Sequence, residues 1–407
     1  MAVRNRFLTE QILTAAREFP ALGLTGPRQC GKTTLLRALF DPTHGYVSLD
    51  HPDLRERATA DPIGFLRDHP APCVFDEIQH TPGLFPYLKA EIDRDRRPGR
   101  WILTSSQSFP MMAGVAESLA GRVAVLRLDP FSVGESRQTH HLAIEQLLRQ
   151  TFDAGPRGWA QQDFADWALH GGYPEPCLAQ NRDLRTWFSS YVETYLARDV
   201  RDLLQVGDLG TFHRFLTLCA ARSGRLLNIT DLARDASIAP TTARRWISVL
   251  EASQIVHLVP PWFENFGKRL TKAPKLVFLD VALCARLMGL HTRDAIQDGP
   301  AAGPLFETAV LAEWIKAFRA DGSEPRLYHW RAHGGIELDG LIDWNGELYA
   351  IEAKATATPR PAMAEPLCRW IELAGPRAKG VVACRTEASM ALTPGVRAVP
   401  WHLAITG

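Results

Sequence analysis

The residues GPRQCGKTT, at positions 26–34, have the composition and spacing of a phosphate-binding loop. The motif G-x-x-x-x-G-K-[ST] requires a strand before it and a helix after it, and LGLT and TTLLRALF fit these places. Gly26 and Gly31 let the backbone curl so that its N–H groups face an anion. Lys32 would reach the β- and γ-phosphates of ATP, and Thr33 would ligate Mg²⁺. The predicted nucleotide-binding residues are Gly26, Pro27, Arg28, Gln29, Cys30, Gly31, Lys32, Thr33 and Thr34.

An acidic pair follows the apolar run PCVFDEIQ, which predicts a buried strand that ends in Asp76 and Glu77. Asp76 at the strand tip would hold the metal ion through water, opposite Thr33. Glu77 would polarise the attacking water as a general base. The alternative is an acidic pair in a surface loop, and the position after a buried-type strand argues against it.

Two further positions fit the same chemistry. The strand WILTSSQS ends in small polar residues, and Ser106 or Gln107 would orient water against the γ-phosphate. The alternative is an ordinary polar strand end. Arg122, in ESLAGRVAVLRL, is predicted at the end of a helix, directly before the last strand. An arginine there would stabilise charge on the nucleotide of a neighbouring subunit in a homo-oligomer, or would be a surface residue.

The last third of the chain holds a second set of charged residues. Glu307 falls in the predicted helix GPLFETAVLAEW, Asp339 follows one strand, and Glu352 and Lys354 lie on the next, in LYAIEAKAT. The order E…D…E-x-K resembles restriction-endonuclease-like domains. Glu307, Asp339 and Glu352 would hold Mg²⁺ or Mn²⁺ against a phosphate, and Lys354 would position the water. The alternative is that Glu352 and Lys354 form a structural ion pair.

Alternating strands and helices must position the nucleotide site. After a predicted amphipathic helix at 1–18, five apolar runs alternate with helical stretches, which favours a parallel sheet covered by helices. These runs are PALGLT, YVSLD, PCVFDE, WILTSS and VAVLRL. A second α/β region begins near residue 300 with the strands LYHWR, ELDGLIDW, LYAIEAKA and KGVVAC. We expect three domains, at 1–135, 136–290 and 291–407.

The middle region has the pattern of a winged helix-turn-helix at about 205–275. A helix capped by Thr230 is followed by a turn at IAP and a second helix that starts with TTARRW. Arg244 and Arg245 would lie where a recognition helix meets DNA, and GKRLTKAPK would form the wing. The segment carries ten Lys or Arg against five Asp or Glu, which suits phosphate contacts. The alternative is a lid or a protein-interaction module.

The ordered motifs resemble the AAA-type P-loop ATPases of bacteria and archaea. The segments that carry the resemblance are GPRQCGKTTL, YVSLDHPDLR, DEIQHTPGLFPYLKAEID, LTSSQSF and ESLAGR. It continues through HGGYPEP, YVETYLARDV and the C-terminal strands, and Ser105 is the one departure, where glycine is usual. The resemblance implies an ATPase domain and a C-terminal domain of unknown function. No second sensor arginine is assigned.

Composition limits the remaining choices. The 407 residues carry a net charge of +1, so nucleic-acid affinity would have to come from local patches. The seven cysteines have no metal-type spacing, no membrane span is expected, and the chain is predicted to be cytoplasmic. Three functional classes stay open. They are an ATP-regulated enzyme that acts on DNA or RNA, a DNA-bound nucleotide switch without cleavage, and a regulatory or scaffold ATPase that acts on protein partners.

Overall fold

Two units make up the chain in this computed structural model. The structure describes residues 4–106, 118–154, 158–179, 182–196, 209–264, 272–332 and 336–406. Unit 1 contains residues up to Pro130 together with 252–254 and 319–322, and unit 2 contains the rest. Gln107 and most of the predicted wing lie outside the described residues. Of the helices in the described ranges, none has both the length and the apolar character needed to cross a membrane.

Unit 1 contains a five-stranded sheet and helices that precede or connect its strands. The strands are β1 Ala21–Thr25, β2 Gly45–Ser48, β3 Cys73–Asp76, β4 Trp101–Ser105 and β5 Val123–Arg127. The helices are α1 Thr9–Glu18, α2 Lys32–Phe40, α3 Pro52–Ala60, α4 Pro62–Asp68 and α5 Phe85–Arg94. All five predicted strands are confirmed to within one or two residues.

The sheet of unit 1 is parallel throughout, in the order β2-β3-β4-β1-β5. Every residue of β1, β3 and β4 is buried, which explains why these strands are continuous apolar runs and not alternating ones. Parallel strands end at the same edge of a sheet. The polar residues at the carboxyl ends of β1, β3 and β4 therefore face one site.

In the described ranges, unit 2 begins with short helices and contains three sheets. Its helices are α6 Val133–Arg137, α7 Ile144–Arg149, α8 Phe164–His170, α9 Pro174–Leu178, α10 Leu184–Tyr191, α11 Leu209–Ala221, α12 Ile229–Ala236, α13 Pro240–Ala252, α14 Val281–Leu287, α15 Arg293–Gln297, α16 Ala302–Ala320 and α17 Glu365–Ala374. The ends of α13 and α16, Ala252 and Arg319–Ala320, count with unit 1.

The strands of unit 2 form three sheets. They are β6 Gly158–Trp159, β7 Arg225–Leu226, β8 Val256–Val259, β9 Lys275–Phe278, β10 Leu327–Arg331, β11 Glu337–Trp344, β12 Glu347–Lys354, β13 Ala378–Cys384, β14 Met390–Thr393, β15 Val396–Pro400 and β16 Ile405–Thr406. The largest sheet has the order β10-β11-β12-β13-β15-β14, in which β12, β13 and β15 run parallel. A three-stranded antiparallel sheet has the order β7-β9-β8, and β6 pairs with β16.

Helix α16 passes through the core of unit 2 and is buried along most of its length. Two of its polar side chains form hydrogen bonds with backbone groups near the start of α6. Glu313 accepts a hydrogen bond from the Val133 N–H at 3.0 Å, and Lys316 donates to the Phe131 carbonyl at 3.0 Å. Because buried polar groups need partners, these two contacts fix the chain entering α6 against the helix.

Three predicted details are wrong. The helix predicted at 1–18 begins only at Thr9. The first helix of the helix-turn-helix begins at Ile229, and its cap is Asn228 and not Thr230. The Asn228 side chain accepts hydrogen bonds from the N–H groups of Thr230 and Asp231 at 3.0 and 3.2 Å. Asp339, predicted to follow a strand, comes after β10 but lies within the next strand, as the third residue of β11. The helix around Glu307 is confirmed as part of α16.

Candidate functional site

The predicted phosphate-binding loop connects β1 to α2, as the motif requires. Gly31 has φ 99°, the left-handed conformation that favours glycine, and α2 begins at the next residue, Lys32. At Gly26 an added Cβ would lie 2.3 Å from the carbonyl oxygen of Leu128. The two glycines therefore do different work, since Gly31 supplies a backbone angle and Gly26 allows a close approach of two chain segments.

The Lys32 side chain is buried inside the loop. Its ammonium donates hydrogen bonds to the carbonyl oxygens of Gly26, at 2.8 Å, and of Pro27, at 3.1 Å. The remaining predicted loop residues surround it: Pro27 and Cys30 are buried, Arg28 and Thr33 are half-buried, and Gln29 and Thr34 are exposed. Burial raises the pKa of the Cys30 thiol, which keeps it protonated and unreactive.

Asp76 ends β3 and is surrounded by three hydroxyl groups. The Thr33 hydroxyl donates to Asp76 Oδ2 at 2.9 Å, and the hydroxyls of Tyr46 and Thr104 also donate to this carboxylate. Burial and the contact with Asp76 raise the pKa of Tyr46, so its proton stays in place. The structure thus brings Thr33 and Asp76 together as the sequence predicts, and it adds Tyr46 and Thr104.

Glu77 is the next residue, and its backbone adopts the left-handed conformation with φ 58°. Its carboxylate accepts a hydrogen bond from the Ser106 hydroxyl at 2.8 Å and another from the Gln79 amide. Burial alone would raise the pKa of Glu77, but Lys32, Gln79 and Ser106 together lower it. The carboxylate is therefore ionised at neutral pH, the state that a general base needs.

A cavity of about 570 Å³ adjoins Thr33, Asp76 and Tyr46. The oxygen atoms of Thr33 and Asp76 are of the type that Mg²⁺ prefers, and they lie close enough to share one hydration shell. Lys32 lies within the loop whose N–H groups would face a phosphate. These side chains fit a nucleotide with Mg²⁺, and Glu77 fits the role of base beside it.

Two arginines complete the description of unit 1. Arg6, which no sequence motif singles out, is buried and donates to the carbonyls of Cys30 at 2.9 Å and Asp129 at 2.6 Å. It thereby joins the backbone of the loop to the segment that follows β5. Arg122 directly precedes β5, is half-buried, and pairs with Asp93 at 2.7 and 2.9 Å.

The predicted carboxylates of the C-terminal region come together in unit 2, and a lysine lies among them. The ammonium of Lys275, on β9, is 2.5 Å from Glu307 Oε1 and 3.9 Å from Asp339 Oδ1. It also lies 3.3 Å from the Asp339 carbonyl oxygen and 4.0 Å from Glu337 Oε1. No group of three or more His, Cys, Asp or Glu side chains in the described ranges is arranged to hold a metal ion.

Glu352 and Lys354 form an ion pair, with Lys354 Nζ 2.5 Å from Glu352 Oε1. Burial, and then Asp339, raise the pKa of Glu352 to about 7, although Lys354 opposes the shift. Burial and Asp339 likewise raise the pKa of Glu307 to about 8, against the effect of Lys275. These two carboxyl groups therefore have pKa values above the ordinary range, because they are buried close to another carboxylate.

The helix-turn-helix pair is formed by α12 and α13, joined through Ser237 in the left-handed conformation. Arg244 and Arg245 are exposed on the first half of α13, with Ala243 and Trp246 buried beside them. The three-stranded sheet β7-β9-β8 belongs to the same part of the chain. Two cations thus project to solvent from the position that the sequence predicts.

Comparison with protein families assigns three regions. Residues 18–136 match a family described as AAA domain. Residues 161–294 match a domain of unknown function (DUF8612), and residues 302–404 match another domain of unknown function (DUF4143). The first region contains the whole set of nucleotide-site residues from Gly26 to Arg122, and the third contains Glu307, Asp339 and Glu352.

Two mycobacterial proteins match most of the chain. They are the uncharacterized protein Rv2008c of Mycobacterium tuberculosis and the uncharacterized protein Mb2031c of Mycobacterium bovis. Each is 32% identical over 360 residues, which is 88% of this chain and 76% of the relative. A solved structure, the Walker-type ATPase PABY2304 of Pyrococcus abyssi, is 15% identical with a TM-score of 0.43, over 69% of this chain and 94% of that one. The chain belongs to the family of these two mycobacterial proteins, with an AAA domain at residues 18–136 and a DUF4143 domain at residues 302–404.

Proposed function

We propose that the chain binds ATP with Mg²⁺ and hydrolyses it at the phosphate-binding loop. The observation that supports this is the arrangement of the Thr33 hydroxyl 2.9 Å from the Asp76 carboxylate, with the ionised Glu77 as the next residue. Thr33 and Asp76 would supply oxygen ligands for Mg²⁺, and Glu77 would be the base beside them, next to a loop that suits phosphates.

The chain's own residues would divide the work as follows. Lys32 would exchange its two carbonyl partners for phosphate oxygens, and Thr33 and Asp76 would hold Mg²⁺. Bound Mg²⁺ neutralises the charge that develops on the phosphates. Glu77 would accept a proton from the attacking water, while Ser106 keeps the carboxylate in position. Gln107 would assist in orienting that water, as predicted from the sequence.

The test compares Lys32→Ala and Glu77→Gln with wild type. We expect Glu77→Gln to keep ATP binding but to lower the hydrolysis rate by about 10²- to 10⁴-fold, because a general base contributes that much. Lys32→Ala should weaken ATP binding and lower the hydrolysis rate. Lys89→Ala and Glu56→Gln change exposed residues of the same unit and serve as matched controls. Hydrolysis by Glu77→Gln at the wild-type rate would refute the assignment.

We further propose that ATP hydrolysis is coupled to nucleic-acid binding through a winged helix-turn-helix. The exposed Arg244 and Arg245 and the basic composition of residues 205–275 support this. The C-terminal sheet, in this proposal, is a restriction-endonuclease-like domain that accompanies the DNA-binding part. We also propose a cytoplasmic location, where thiols stay reduced; the seven cysteines, all in described ranges, are free thiols.

The decisive measurement is the ATPase rate with and without duplex DNA and RNA at two salt concentrations. Stimulation that weakens with salt and is lost in Arg244→Ala/Arg245→Ala would support coupling. Arg234→Ala is the control, since Arg234 already pairs with Asp231 and Asp235. The second candidate function is a regulatory or scaffold ATPase that acts on protein partners. The absence of any nucleic-acid effect on rate or binding would favour it.

Arg122 is proposed to act on the nucleotide of a neighbouring subunit in a homo-oligomer. Its guanidinium would leave Asp93 to do so, because an arginine supplied in trans stabilises charge in the transition state. Arg122→Ala and Glu77→Gln should each be inactive alone. A mixture of the two variants should recover part of the activity. The Arg122→Ala subunit keeps Glu77, and a neighbouring Glu77→Gln subunit can supply Arg122 to its nucleotide. Mixtures as inactive as the separate variants would contradict action in trans.

A further inference from the structure

Lys275 is the residue of the C-terminal cluster that the E…D…E-x-K pattern does not contain. It lies on β9, outside the segment that holds the four charged residues of the pattern, and only 1% of its side chain is exposed. A lysine this deeply buried stays charged only where carboxylates surround it. Here Glu307 is in direct contact, and Asp339 and Glu337 lie within about 4 Å.

The ammonium occupies the space that a divalent cation would need. Mg²⁺ requires oxygen ligands at about 2.1 Å in octahedral geometry. An ion bound by both Glu307 and Asp339 would therefore have to lie between them, where Lys275 Nζ already contacts Glu307 Oε1 and the Asp339 carbonyl oxygen. Two cations cannot share that position, since they would repel at contact distance in a poorly solvated site.

The other two residues of the pattern do not open a separate metal site. Lys354 neutralises Glu352 directly, at 2.5 Å. Asp339 Oδ2 is turned to the backbone, where it accepts a hydrogen bond from the Ala353 N–H at 2.8 Å. Each carboxylate that the pattern would use as a ligand thus has one partner from the chain itself, while the second oxygen of Glu352, Oε2, is buried without a hydrogen-bond partner.

We propose that Lys275 is the resident cation of this cluster and that Glu307, Asp339 and Glu352 hold no divalent metal ion in this chain. The cluster then joins three elements, because Lys275 on β9 binds α16 through Glu307 and β11 through Asp339. The DUF4143 region would keep the sheet and the charged residues of a nuclease-like domain, but these residues would stabilise the packing of β9, α16 and β11. It would not cleave nucleic acid by metal-assisted hydrolysis.

The experiment uses the full chain without nucleotide and titrates Mn²⁺, followed by calorimetry and thermal unfolding. Wild type should show no Mn²⁺ binding that depends on Glu307, and no DNA nicking in Mn²⁺. Lys275→Met keeps the length of the side chain and removes the charge. It should unfold at a lower temperature than wild type and gain Mn²⁺ binding that Glu307→Gln abolishes. Lys354→Met removes the cation that pairs with Glu352; it is the matched control and should gain no Mn²⁺ binding that depends on Glu307.

Three results would overturn the proposal. One is Mn²⁺ binding by wild type that is lost in Glu307→Gln or Asp339→Asn. Another is Mn²⁺-dependent nicking that is lost in Glu352→Gln. The third is a Lys275→Met protein as stable as wild type that takes up no Mn²⁺. If Lys275→Met does not fold, the two wild-type measurements still decide. None of these readouts depends on ATP hydrolysis, which the Lys32 and Glu77 variants test separately.

Discussion

At the scale of single residues, Arg6 is the least expected member of the nucleotide site. It lies before α1, far from the loop in sequence, yet its guanidinium donates to Cys30 in the loop and to Asp129 beyond β5. Charged hydrogen bonds to buried carbonyls are stronger than neutral ones. Arg6 therefore holds the backbone of the loop against the segment after β5.

We expect Arg6→Met to weaken ATP binding about tenfold or more. Losing hydrogen bonds from a charged donor costs about 1.5–3 kcal/mol each, and about 1.4 kcal/mol corresponds to a factor of ten. Titration with a fluorescent ATP analogue measures the affinity. Arg17→Met, an exposed arginine on α1, is the control and should bind as wild type does. Equal affinities for the two variants would show that Arg6 does not support the loop.

His402 gives unit 2 a dependence on pH. Burial, and to a smaller extent Arg137, lower the pKa of His402 to about 3, from an ordinary value near 6.5. Between these values the unfolded chain binds a proton that the folded chain does not. The free energy of unfolding therefore falls as the pH drops from about 6.5, by up to about 1.4 kcal/mol per pH unit.

Removing that histidine should flatten the pH dependence. In His402→Asn the free energy of unfolding should fall less between pH 6.5 and 4.5 than in wild type. Urea unfolding at several pH values in this range measures the difference. The exposed His140→Asn should keep the wild-type slope. A slope in His402→Asn as steep as in wild type would mean that other groups carry the effect.

The residues that the sequence predicted share one property, which is that short motifs encode them. Gly26 to Thr34 are contiguous, and Asp76 and Glu77 end one apolar run. Thr104 and Lys275 have no such signal, because each reaches its carboxylate partner from another element of the fold. Parallel strands that end at one sheet edge hint at Thr104, whereas nothing in the sequence pairs β9 with α16.

At the scale of elements, the strands of unit 1 were predictable because burial on both faces demands continuous apolar runs. The motif HGGYPEP belongs to the family resemblance, but the sequence does not indicate what its residues do in the structure. In the structure Gly172 donates its N–H to the buried Asp280, which caps α14, and an added Cβ at Gly172 would lie 2.2 Å from the Phe131 carbonyl oxygen. Because Gly172 has no side chain, its backbone can approach both Phe131 and Asp280, the N-cap of α14.

Gly172→Ala should destabilise unit 2 by about 1–3 kcal/mol or more, since the crowded backbone atoms cannot move aside as a side chain would. Gly303 is the matched control. It lies in α16 with open space at its Cβ position, so alanine there should be neutral or stabilising by about 0.5–1 kcal/mol. Urea unfolding of the two variants provides the comparison. Similar effects at both positions would contradict the steric account.

At the scale of the whole molecule, unit 1 is not a continuous stretch of chain. Residues 252–254 and 319–322 belong to it, although both follow long segments of unit 2. Gln254 donates to the Thr25 hydroxyl at 2.9 Å, and Arg319 pairs with Asp129 at 2.6 Å, with both partners of the ion pair buried. The sequence predicted the strand core of this unit but had no pattern that assigns these distant residues to it.

Because Arg319 comes from so far along the chain, its loss tests whether the late segment supports the nucleotide unit. Arg319→Met leaves the Asp129 carboxylate buried without its ion pair, which costs about 3–5 kcal/mol. We expect a lower urea midpoint for unit 1 and weaker ATP binding in the full chain. Adding Asp129→Leu should restore much of the stability, since an apolar pair often replaces a buried ion pair at little cost. A double variant no more stable than Arg319→Met would show that Arg319 acts through contacts other than Asp129.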